Sequence, residues 1–166
     1  MKRIVLSVVS TGFLLGYAPF CPGTLATLLA FLSFLLLACF GLNVITVTIP
    51  VAVIGFIIGL PLGSWSEKFF GRKDPREFVW DEVIGYFALT AVYGALSDDA
   101  ERRFPVYACI MAVGFVLFRI LDIFKPLFIN RLQDLPGGLG IMADDMTAGA
   151  CGGLILAGMV FVFDKM

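Results

Sequence analysis

Two apolar runs, Thr24 to Phe40 and Val44 to about Leu62, follow one another with only Gly41-Leu42-Asn43 between them. A helix needs about 20 apolar residues to cross the hydrocarbon core of a bilayer. The pair is therefore expected to form a helical hairpin through a membrane, with the glycine and asparagine making the turn. Hydrophobic residues make up 60% of the chain and charged residues 15%, which lies outside the range of a soluble domain. The expected fold is all-α, a polytopic membrane helical bundle of about four to five spans, with residues 1–166 forming a single domain.

The remaining segments are shorter or more polar. Ile4 to Leu15 is too short to cross and is read as a short N-terminal interfacial or re-entrant helix. Lys2 and Arg3 before it imitate a secretory signal, but no small-x-small cleavage site follows. Ser64 to Trp80 carries Lys68, Arg72, Lys73 and Arg76 against Glu67, Asp74 and Glu77, and is expected to be an exposed loop with some helix. Val83 to Leu96 spans only where the bilayer thins or where the helix ends in the interface. After a charged turn at residues 97–103, Phe104 to Phe118 continues apolar to Arg119. Pro50 and Pro61 are expected near helix ends. Glycines spaced four apart, at 55, 59 and 63, 12 and 16, and 149 and 153, are read as faces for close helix packing within one bundle.

Placing the basic loop at Lys68 to Arg76 in the cytoplasm satisfies the positive-inside tendency. The residue 17–24 loop, Asp81-Glu82 and the whole of residues 119–145 then gather on the cytoplasmic face.

Composition excludes much chemistry. A net charge of -1 argues against a nucleic-acid partner, which requires clustered excess Lys and Arg. No histidine is present, which removes the commonest general base and transition-metal ligand. Cys21, Cys39, Cys109 and Cys151 form no framework and are expected to be buried free thiols. No cysteine has an arginine six positions on, and no DxD pair exists, so phosphocysteine and aspartyl-phosphate phosphatases of those types lack their parts. Metal-activated water or a lone carboxylate nucleophile remains.

Two acidic pairs, Asp81-Glu82 and Asp144-Asp145, are expected at helix starts. Helix capping would account for either pair alone. On one face, however, they crowd together with Asp122, balanced only by Arg119, Lys125 and Arg131. A divalent cation relieves that crowding, and an all-oxygen ligand set favours magnesium, manganese or calcium. Magnesium is the natural choice, with Asp81, Glu82, Asp144 and Asp145 as ligands. Arg119, Asp122 and Lys125 recur every three residues on overlapping helix faces. Lys125-Pro126 ends that helix. Arg119 and Lys125 suit a phosphate, the first as a planar fork and the second as a point charge. Gly23 and Thr24, with Thr24 as N-cap, open a helix whose free amides suit an anion. The glycine-rich loop 135–140 allows close backbone approach.

Four motifs in order, GYAPFCPGT, VWDEVIGYF, FRILDIFKP and GGLGIMADDMTAG, resemble those of the phosphatidylglycerophosphatase A family across nearly the whole chain. The chain departs from the family at Leu25-Ala26-Thr27, where a bulky residue, glycine and serine are usual, and at Leu127-Phe128-Ile129, where Trp-Pro-Ile is usual. The resemblance implies a bacterial inner (cytoplasmic) membrane enzyme that hydrolyses phosphatidylglycerophosphate to phosphatidylglycerol and phosphate with magnesium. On this reading Asp122, Lys125 and Asp145 are catalytic, Arg119, Lys125, Gly23 and Thr24 bind substrate, and the bilayer is the working environment. Two other readings compete. One is a small transporter or channel with an acidic ion site. The other is a CDP-alcohol phosphatidyltransferase, although Ala148 stands where its next aspartate belongs. Oligomeric state is left open.

Overall fold

The computed structural model describes residues 2–97, 104–126 and 129–166. Most of the charged turn at residues 97–103, and Leu127 and Phe128, lie outside the described residues. Among the described residues there are seven helices and no strand: α1 (Lys2–Ser10), α2 (Pro22–Cys39), α3 (Val44–Phe70), α4 (Trp80–Leu96), α5 (Phe104–Phe124), α6 (Ile129–Leu132) and α7 (Gly138–Asp164). Four of them, α2, α3, α5 and α7, are long and apolar enough to cross a membrane. The protein is thus an all-α membrane bundle. A short first helix is present, followed by a 3-10 turn at Leu15–Tyr17.

The shortest of the long helices is the central one. α4 has 17 residues, ten of them buried, and packs against α7, α3, α2 and α5. Its neighbours enclose it, so its length need not match the bilayer. Tyr86, Leu89 and Tyr93 are fully enclosed, and Phe34, Met111, Phe118 and Leu156 join them in one core. A second cluster, Leu62, Phe78, Ile84, Ile141 and Met142, seals the end nearer the polar residues.

Glycine sets the separations. A Cβ at Gly149 would collide with the carbonyl oxygen of Gly85, and one at Gly138 with that of Leu60. Backbones therefore touch where α7 crosses α4 and α3, as the spacing of small residues leads one to expect. Gly149→Ala is expected to lower stability by about 1–3 kcal/mol, the usual cost of overpacking. Thermal unfolding in detergent measures this, and an unchanged midpoint would mean that the α4–α7 crossing can open.

Several boundaries differ from those expected. α3 does not stop near Leu62 but continues to Phe70, with both Pro50 and Pro61 in its interior. Membrane helices tolerate such prolines because neighbours satisfy the freed groups. Just beyond Pro61, Ser64 donates to the Leu60 carbonyl (3.1 Å) and accepts the amide of Gly138 (2.8 Å), an ordinary contact that ties this end of α3 to the start of α7. Asp144 and Asp145 do not open a helix; α7 begins at Gly138 and holds them in its interior. Thr24 is not an N-cap, since α2 starts at Pro22 after Cys21 in a left-handed conformation. Proline at that first position needs no amide partner. The cysteines are free but not buried: Cys21, Cys39 and Cys109 are exposed and Cys151 half-buried.

Candidate active site

Successive antiparallel helices bring alternate termini to one end of the bundle. The start of α2, the end of α3, the start of α4, the end of α5 and the first turns of α7 meet there. Each expected motif contributes from one of these termini.

The acidic half comes from α4 and α7. Asp81, Glu82 and Asp145 each present a carboxylate oxygen, and these oxygens all lie within 4.8 Å of one another. Asp81 and Asp145 are buried. Asp81 accepts the amide of Glu82 (3.1 Å), and Asp144 that of Asp145 (3.0 Å), so a neighbouring amide accounts for one oxygen of each leading aspartate. These contacts leave Oε2 of Glu82 and Oδ2 of Asp145, both buried with no hydrogen-bond partner. Isolated buried carboxylates carry a desolvation cost that only a partner offsets. Three convergent hard oxygens, two of them from residues with an unpartnered atom, fit a hard divalent cation.

The basic half comes from α5. Arg119 Nη1 donates to Asp122 Oδ2 (2.6 Å) and to the hydroxyl of Thr27 (3.4 Å), while Nε is buried and unpartnered. Lys125 follows the last residue of α5, with a φ of 40°. A non-glycine residue in that region persists only where its surroundings hold it. The hold is visible in three carboxylates around its ammonium: Asp144 at 2.5 Å, Asp145 at 3.7 Å and Asp122 at 3.8 Å. Burial works against the charge on Lys125, but these carboxylates outweigh it and hold its pKa above the usual value.

Asp144 is thus separated from the other three expected metal ligands and is engaged by Lys125 instead. Adjacent helix residues project about 100° apart at 3.6 residues per turn, so both aspartates reach Lys125 but only Asp145 also converges with Asp81 and Glu82. Arg131 is exposed on α6, outside the cluster. Gly23 is buried, and a Cβ there would collide with the Glu82 carboxylate and approach Arg119 Nη1. Its place is therefore close approach between α2 and both halves of the site. Thr24 is only half-buried, and among the described residues no hydrogen bond from its side chain reaches the cluster. Thr27, completely buried, is the α2 residue that touches Arg119.

Five carboxylates therefore meet two cations in one buried cluster at the end of a membrane bundle, with two carboxylate oxygens and one guanidinium nitrogen still unpartnered. Such a cluster can bind a cation and a phosphate side by side.

Known proteins resemble the chain over most of its length. A protein of Bacteroides thetaiotaomicron, provisionally named a phosphatidylinositol-3-phosphatase, is 34% identical over 155 residues and 90% of each chain is covered. Phosphatidylglycerophosphatase A of Escherichia coli is 32% identical, with 93% of this chain and 80% of that one covered. Phosphatidylglycerophosphatase A of Haemophilus influenzae is 30% identical, with 89% and 86% covered. No solved structure gives a significant match. The family model for phosphatidylglycerophosphatase A matches residues 8–160, a range that contains every residue of the cluster. The chain accordingly belongs to the phosphatidylglycerophosphatase A family.

Proposed function

We propose that this phosphatase hydrolyses phosphatidylglycerophosphate to phosphatidylglycerol and inorganic phosphate, with magnesium, at the cytoplasmic face of a bacterial inner membrane. The observation that carries the reading is the set of unpartnered buried atoms in one cluster: Glu82 Oε2, Asp145 Oδ2 and Arg119 Nε. Family membership supplies the reaction class, and the basic residues Lys68, at the end of α3, and Arg72, Lys73 and Arg76 after it support the orientation through the positive-inside tendency.

Asp81, Glu82 and Asp145 would hold the ion. Magnesium bound there supplies Lewis-acid polarisation of the phosphomonoester and makes water a better nucleophile. Arg119 directs its free Nε–H at a phosphoryl oxygen, aligned by its bond to Asp122. Lys125 holds Asp144 and neutralises the carboxylates behind the phosphate, keeping the wall next to a dianionic group from being uniformly negative. Hydrolysis breaks the bond between phosphorus and the glycerol oxygen. Water supplies the oxygen gained by phosphate and, in net terms, the proton gained by glycerol. Catalysis of this kind rests on positioning and charge stabilisation.

A second lipid is favoured by one observation, the 34% identity to the protein provisionally named as a phosphatidylinositol-3-phosphatase. Both lipids present a phosphomonoester on a phospholipid headgroup, so the same cluster would read either. The test is phosphate release by purified protein from each lipid, with magnesium and after chelation. The expected result is release from phosphatidylglycerophosphate that chelator abolishes and magnesium restores. Faster release from the inositol lipid would reassign the headgroup, and undiminished release after chelation would remove the metal.

A further inference from the structure

α2 carries no charged residue, yet it reaches the basic half of the site through one hydroxyl. Thr27 is completely buried, one turn beyond Gly23. Its hydroxyl donates to the Gly23 carbonyl at 2.9 Å. A bond of that kind is common for threonine in helices and by itself says only that the side chain is satisfied. The second contact is of another kind: Arg119, 92 residues away, donates to the same oxygen at 3.4 Å.

Nη1 of Arg119 carries two hydrogens. One goes to Asp122 Oδ2 at 2.6 Å on its own helix, and the other to Thr27 on α2. With both committed to partners on different helices, the guanidinium plane is fixed rather than free to rotate about a single ion pair. Of the donors that remain, Nε is buried and unpartnered. We propose that Thr27 is a positioning residue, which sets the plane of Arg119 so that its Nε–H points at the phosphoryl group. This rests on the reading of Arg119 as the phosphate-binding arginine.

The opposing view is that Thr27 only fills space between α2, α4 and α5, and two substitutions separate the two roles. Thr27→Val keeps the shape and loses the hydroxyl. Thr27→Ser keeps the hydroxyl and loses a methyl group. If Thr27 positions Arg119, the valine variant loses about 10- to 100-fold in kcat, the range typical of a displaced orienting contact. KM then changes less, because the missing alignment is felt most where phosphoryl charge is redistributed. The serine variant recovers most of the rate. In an Arg119→Lys background, Thr27→Val has little further effect. If Thr27 is a spacer, the order reverses: valine retains activity and serine loses it. Wild-type kcat in Thr27→Val, or full additivity with Arg119→Lys, would overturn the proposal.

Affinity for inorganic phosphate, measured by calorimetry on the same variants, provides a readout independent of the lipid. Weaker binding by Thr27→Val than by wild type and Thr27→Ser supports the positioning role, and equal binding by all three refutes it. Failure of the wild type to cleave the lipid would count against the proposed substrate, while the phosphate measurement would still decide Thr27.

Discussion

Asp145→Asn is expected to reduce phosphate release by about 10²- to 10³-fold, the cost of removing one preorganised charge from a closed site, while leaving the fold as stable as before or more so. The two expectations have one cause. Asp145 is buried, its Oδ2 has no partner, and its other oxygen is 3.7 Å from Lys125. Asp81, Glu82, Asp122 and Asp144 stand around it, so its charge is opposed by its surroundings until a cation arrives. The amide has the same shape and relieves that repulsion. Function is held at the expense of stability, a common arrangement at active sites. Phosphate release across magnesium concentrations and thermal unfolding in detergent test the two halves separately. Near-normal release at low magnesium would remove Asp145 from the metal site.

Lys125→Met is expected to cost both activity and stability. Lys125 is the ion-pair partner of Asp144, and Asp122 and Asp145 also lie within 4 Å of its ammonium. Removing one partner of a buried pair typically costs about 3–5 kcal/mol because the other charge is left uncompensated. Asp144→Asn in the same chain should return much of the lost stability without restoring turnover, since it removes the stranded carboxylate but not the need for positive charge behind the phosphate. A stable but inactive Lys125→Met would instead make Lys125 a ligand of the substrate alone. The contacts with three carboxylates favour the first outcome.

The ends of the helices were readable from the chain where run length and charge decide them. The hairpin of α2 and α3 follows from two apolar runs and a three-residue turn. The gathering of Asp81, Asp122 and Asp145 follows from alternation of direction. Glycine and proline misled where packing overrides local preference. Pro61 reads as a boundary but lies inside α3, as membrane helices packed among neighbours tolerate. Gly138 and Gly140 read as loop, yet they begin α7, where the absence of a side chain lets α3 approach Gly138 and the preceding loop approach Gly140. Pro22 at the first position was the better signal for the start of α2 than Thr24. The separate fates of Asp144 and Asp145 were implicit in helix geometry, but which of them faces α4 depends on rotation about the α7 axis, and packing sets that. The contact between Thr27 and Arg119 spans 92 residues, and no local pattern contains it.

The exposure of the thiols changes what can be learned from the unmodified chain. Cys21 immediately precedes α2 and Cys39 is its last residue, and both are exposed. One helix long and apolar enough to cross a membrane thus carries a natural chemical label at each end, the first two residues from Gly23 and the second at the opposite end of the helix. A reagent that cannot cross membranes distinguishes the two compartments by which thiol it finds, so the sidedness of the catalytic end is recorded in the protein's own cysteines.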